Sequence, residues 1–107
     1  AMHAGDHAVY PDCRPAFVEA FNTMQGVAVE GHGHPGLHLW TPFIHKTKTE
    51  IAALGGTLQV DYSLTWSCYK GLDLHCGVCG TCYERREAFR DSGVVDPTLY
   101  QQEAVLA

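Results

Sequence analysis

The sequence predicts an α/β domain, with three or four helices and one or two strands, closed by a metal knuckle near its carboxy terminus. Three observations carry this. Phe17, Ala20, Phe21 and Met24 recur at helical spacing. Residues 37–41 are rich in strand-forming types and begin with apolar and polar residues in alternation. Four of the five cysteines crowd into residues 68–82.

The elements follow in order. Pro15 suits the first turn of a helix, so residues 15–25 are expected to form an amphipathic helix. Gly26, Gly31, Gly33, Pro35 and Gly36 break the next stretch into a loop, in which Val27 to Val29 would be at most a very short strand. Residues 37–41 are the best strand, ended by Pro42, which cannot donate to a ladder. Thr47 and Glu50 form a capping box for a short helix over 48–54, with Gly55-Gly56 as its stop. Thr81 and Glu84 repeat that arrangement before a helix that Gly93 ends. Asp96-Pro97 is expected to open a final short helix through about residue 105.

Composition bounds the function. The 107 residues suffice for one small domain, and 46% hydrophobic with 18% charged residues is the composition of a folded chain. A net charge of −5 without any basic cluster argues against direct nucleic-acid binding. No apolar run approaches the roughly 20 residues of a membrane-spanning helix. A cytoplasmic location is the default expectation, and no membrane partner is expected. The abrupt Ala1-Met2-His3 opening is expected to be a cloning remnant ahead of Met2 or a cut inside a longer protein.

The cysteines read Cys68-x7-Cys76-x2-Cys79-x2-Cys82. Each C-x2-C step puts two thiolates on a tight turn, and the longer loop, bent by Gly71 and Gly77, brings round the fourth. Four thiolates fill a zinc shell and leave no place for water, so one structural zinc per chain is expected. His75 could replace one thiolate. Paired disulfides are disfavoured in a reducing compartment, a thioredoxin-like pair lacks its preceding strand, and an iron–sulfur cluster is the competing occupant.

Further motifs complete the reading. Thr65 to Gly71, His75 to Cys82, Glu84 to Phe89 and Asp96 to Tyr100, in that order and spacing, resemble the end of the 7-cyano-7-deazaguanine synthases. His3 to His7, Tyr10 to Pro15, Thr41 to Phe43 and Lys48 to Ile51 are similar to that family's second half. The resemblance implies a nucleotide-binding α/β fold of the adenine nucleotide alpha hydrolase-like, ATP-pyrophosphatase type. It implies an enzyme of queuosine biosynthesis, a ligase that converts 7-carboxy-7-deazaguanine and ammonia, with ATP, to 7-cyano-7-deazaguanine. On the same resemblance, residues 1–64 would be the carboxy-terminal part of the α/β domain and 65–107 a zinc-binding knuckle with terminal helices. Cys68, Cys76, Cys79 and Cys82 would be the zinc ligands. Tyr10, Asp12 and Arg14 would bind the deazaguanine substrate, Arg14 as a fork for an anionic group at a helix start.

One departure is large. The family's ATP site is a Ser-Gly-Gly-x-Asp-Ser phosphate loop, and no such segment occurs in these 107 residues. ATP is therefore expected only where a second half supplies that loop, and the chain alone is expected to be inactive. Its partners would be a chain carrying the ATP-binding half, or a second copy of itself. The alternative is a stand-alone, non-catalytic, zinc-stabilised interaction module. Lone Cys13, the loop histidines His32, His34 and His38, and the charges Lys48, Arg85 and Arg86 read first as packing, solvated loop and solvated helix faces.

Overall fold

A computed structural model describes residues 2–103. It contains three α-helices: α1 (Pro15–Ala28), α2 (Lys48–Thr57) and α3 (Gly80–Ser92). Short 3-10 turns lie at Ala4–Asp6, Pro11–Cys13 and Tyr62–Leu64. The chain divides into two compact units, Ala1–Thr47 and Lys48–Ala107. The boundary expected at 64/65 falls inside the second unit.

In the first unit, α1 starts at Pro15 as expected, with Arg14 in extended conformation before it. The helix continues through Gly26 to Ala28, so residues 27 and 28, expected in a loop or a very short strand, are helical. A helical glycine costs only about 1 kcal/mol relative to alanine, which two side-chain tethers nearby help to offset. Gln25 Nε2 donates to Leu37 O at 2.7 Å, and Asn22 Oδ1 accepts from Leu39 N at 2.7 Å.

Those tethers also explain why the strand expected over 37–41 is not formed. Backbone polar groups must find partners, and here the side-chain amides of α1 supply them in place of a neighbouring strand. Among the described residues there is no strand, only an isolated bridge between His75 and Tyr100. The α/β expectation is thus met only by its helices within residues 2–103. α1 buries no residue, and Phe17, Phe21 and Met24 remain exposed.

In the second unit, α2 packs against α3. α2 starts at Lys48 as expected but runs through Gly55-Gly56, the anticipated stop, to Thr57. The glycines serve close approach. A Cβ on Gly55 would collide with the Tyr62 hydroxyl, and one on Gly56 would lie 2.9 Å from Val94 Cγ2. Tyr62 Oη donates to Ala52 O at 2.9 Å, and the Tyr62 ring meets Phe89 edge-on at 4.9 Å.

α3 begins at Gly80 with Cys79 as its cap, so Thr81 lies inside the first turn and does not cap it. Gly93, at φ 72°, ends the helix in the left-handed conformation as expected. One face of α3 is buried: Cys82, Arg85, Arg86, Ala88 and Phe89. The helix expected from Asp96 does not form over 96–103, and residues 104 and 105 of that expectation lie outside the described residues. Asp96 Oδ1 instead accepts from Thr98 N at 2.9 Å, a side-chain turn that competes with helix, while Oδ2 accepts from Tyr100 Oη at 2.8 Å.

Candidate metal centre

The second unit is built around its cysteines. Cys68, Cys76 and Cys82 form its buried cluster, with Cys79 and Tyr100 packed against them. Cys68 comes from the segment after the Tyr62–Leu64 turn, Cys76 from the loop before α3, Cys79 from the cap of α3 and Cys82 from its first turn. Gly71 and Gly77 bend the intervening chain at φ 65° and 83°, a region that favours glycine.

The four sulfurs lie within 4.8 Å of one another. The Cys76–Cys82 and Cys68–Cys79 separations are both 4.0 Å, and all four thiols are free. A disulfide would need about 2.05 Å. A single ion with metal–sulfur bonds of about 2.3 Å in a tetrahedron would give sulfur separations of about 3.8 Å. The arrangement fits one ion.

Electrostatics point the same way. Backbone N–H groups of Lys70 and Cys76 reach Cys68 Sγ at 3.4 and 3.3 Å, and those of Val78 and Cys79 reach Cys76 Sγ at 3.4 and 3.3 Å. The Cys76 N–H, with that of Lys70, pulls the Cys68 thiol below its ordinary value. The hydroxyl of Thr81, 3.2 Å from Cys79 Sγ, leads the contacts that bring Cys79 down to about 5. Burial pushes Cys82 the other way, to about 12, and its neighbouring sulfurs add to the rise. Sulfurs this close cannot all ionise without a cation among them.

A frame surrounds the cluster. His75 Nε2 accepts from Ser67 N at 3.1 Å, and its ring stacks on Trp66 at 4.1 Å. Burial, helped by the charge of Arg85, lowers the His75 pKa, which favours the neutral ring that this hydrogen bond needs. The group that could hold a metal is made up of the four cysteines, and His75, with Nε2 engaged by Ser67 N, lies beside it.

Arg85 and Arg86, expected on a solvated face, are only 6% and 8% exposed. Sequence reasoning missed them because arginine is seldom buried. Their offsets of three and four residues from Cys82, which place all three on one helix face, were the available signal. Of the other charges read as solvated, Lys48 Nζ pairs with Glu84 at 2.6 Å and is half-buried.

The proposed substrate residues lie in the first unit. Tyr10 caps the Pro11–Cys13 turn, Arg14 caps α1, and both are exposed, as is Asp12. Arg14 Nε donates to His7 O at 2.7 Å, so the segment is held by its own backbone. Cys13 is half-buried, and desolvation followed by the carboxylates of Asp12 and Asp6 raises its pKa. His34 and His38 bond within their own loop, to Gly36 N and Gly36 O. The cysteine cluster is the one group suited to a metal among the described residues.

The second unit is thus a helical unit whose α3, with the loop before it, carries a cysteine-only candidate metal site. The chain belongs to the family of the queuosine biosynthesis protein QueC, which it matches over residues 1–93. It is 54% identical over 101 residues to the 7-cyano-7-deazaguanine synthases of Brucella ovis and Brucella canis, and to that of Brucella abortus (strain S19). Each alignment covers 94% of this chain and 43% of the relative, so the chain spans less than half the length of these relatives. No solved structure matches it significantly. No described helix is long and apolar enough to cross a membrane.

Proposed function

We propose that this chain is the carboxy-terminal, zinc-binding half of a 7-cyano-7-deazaguanine synthase. The whole enzyme would convert 7-carboxy-7-deazaguanine and ammonia, with ATP, to the nitrile. The observation that carries this reading is the convergence of Cys68, Cys76, Cys79 and Cys82, in a chain 54% identical to such synthases. Zinc is favoured over an iron–sulfur cluster because all four sulfurs lie within 4.8 Å of one another, a spacing that suits a single ion. A bound zinc would cross-link the 68–76 loop to α3, adding folding energy without an open coordination position.

The remaining half would supply the phosphate loop, bind ATP and complete an α/β nucleotide-binding fold. Helix α1 supports such a partner, since its Phe17, Phe21 and Met24 keep 37%, 36% and 56% of their surface exposed. His7 Nε2, the buried side-chain atom without a hydrogen-bond partner among the described residues, belongs to the residue that accepts from Arg14. Tyr10, Asp12 and Arg14 would then meet the deazaguanine, with Arg14 and the start of α1 offering positive charge to its carboxylate. The assembly would work in the cytoplasm, as a complex of the two halves or with a second copy of this chain.

Co-expression with a chain carrying the Ser-Gly-Gly-x-Asp-Ser half tests this. Nitrile formation by the pair, and by neither half alone, is the expected result. A stable zinc-loaded pair that forms no nitrile from the carboxylate would overturn the reading and leave a stand-alone zinc-stabilised module.

A further inference from the structure

Arg85 is a buried cation whose hydrogen bonds all go to neutral oxygens. Nε donates to Thr98 Oγ1 at 2.7 Å, Nη1 to Ser67 Oγ at 3.1 Å, and Nη2 to Tyr62 O at 3.0 Å and Thr65 Oγ1 at 2.8 Å. No carboxylate lies within ion-pair distance of it among the described residues. An isolated buried charge is costly even after relaxation; the Phe89 ring, whose centre is 5.2 Å from the guanidinium, answers part of that cost, and an anionic partner would answer more.

A candidate source of negative charge sits on the same face of α3, one helical turn away. Arg85 follows Cys82 by three residues, a spacing that sets side-chain stems about 5–6 Å apart on one face, and Cys82 is 0% exposed. Four thiolates around a divalent ion would carry two net negative charges, and three of the four cysteines, Cys68, Cys76 and Cys82, are buried. Arg86, one residue on and also buried, instead lies over the Tyr100 ring and within 4.0 Å of the Glu103 carboxylate.

We propose that Arg85 is a positioning residue and counter-charge for a dianionic tetrathiolate centre. Its fork ties the 62–67 segment and Thr98 to the helix that carries Cys82. The inference rests on the zinc reading above and adds a division of labour. Charge at position 85 sets how strongly the thiolates hold the metal, and the planar fork sets how firmly the flanking segments are held.

Two variants of the full chain separate these roles. Arg85→Lys keeps the charge but cannot reproduce a bonded fork; Arg85→Gln removes the charge. The readouts are zinc affinity by competition with a chromophoric chelator, the sulfur-to-metal charge-transfer band of the cobalt-substituted protein, and thermal stability of the loaded protein. Arg85→Gln is expected to weaken zinc about tenfold or more, as outer-shell changes do. It should also move the cobalt band to lower energy, because sulfur lone pairs lose a nearby positive charge. Arg85→Lys is expected to keep the parent band and most of the affinity while losing thermal stability. If Arg85→Gln does not fold, Arg85→Lys decides: a shifted band, or affinity that falls in step with stability, overturns the proposal. Equal bands in all three proteins overturn it as well. A parent that takes up no metal sinks the zinc reading itself, whereas a metal-loaded parent with indifferent variants sinks this inference alone.

Discussion

The guanidinium of Arg86 lies 3.9 Å from the centre of the Tyr100 ring, and its Nη2 donates to Gln102 O at 2.8 Å. A side chain from α3 thus holds the carboxy-terminal segment against the cysteine knuckle, which the same segment also reaches through Gln101 N to His75 O at 2.8 Å. Tyr100→Leu removes the ring and the bond to Asp96, and should cost about 1–3 kcal/mol. Tyr100→Phe, which keeps the ring, should cost less. Urea denaturation of the three zinc-loaded proteins checks the order.

Metal content follows the cysteines. Cys79→Ser should abolish stoichiometric zinc and cost several kcal/mol, because metal binding at such a site is folding energy. Cys13→Ser should leave zinc unchanged, since Cys13 is outside the cluster. Elemental analysis of a folded parent should give one zinc per chain; less than half an equivalent would contradict the assignment. Chelation should unfold the second unit, followed by circular dichroism.

Gly77 is expected to resist substitution where Gly80 does not. At Gly77, φ is 83° and a Cβ would collide with Gln102 O, whereas nothing lies within 4 Å of a Cβ at Gly80. Gly77→Ala should destabilise by at least about 1–3 kcal/mol from backbone strain alone and free residues 101–103 to rapid amide exchange. Gly80→Ala, at the first residue of α3, should be neutral or stabilising by no more than about 0.5 kcal/mol.

Arg14 tests the proposed substrate segment. In a reconstituted enzyme, Arg14→Ala should lower turnover by an order of magnitude or more, as loss of a charge-assisted contact worth about 1.5–3 kcal/mol. Thermal stability and zinc content should stay near the parent's, because Arg14 is exposed and its Nε bond is to a single carbonyl. Activity that falls only in step with melting temperature would reduce the segment to a helix entry.

The knuckle is legible in the sequence because its ligands are close along the chain and chemically distinctive. The end of α3 at Gly93 is legible because a left-handed residue after a helical pattern favours glycine. Gly55-Gly56 misleads because a sequence does not distinguish a glycine that ends a helix from one that lets Tyr62 and Val94 approach it. Residues 37–41 carry strand propensity, but the groups that engage their backbone are the side chains of Asn22 and Gln25, which propensity does not register. Residue type assigns Arg85 and Arg86 to solvent, although their offset from Cys82 already places them on its buried face.

The placement of the ligands in the chain also sets an order of events during synthesis. Cys68 to Cys82 close only short loops, so a nascent chain can capture the ion soon after α3 begins to emerge, at little loop entropy. Residues 98–102 leave the ribosome later and find their docking surface, His75, Gly77 and the two arginines, already assembled. Without the ion, the surface on which residues 98–102 dock would not be held together, and that segment would stay open to proteolysis.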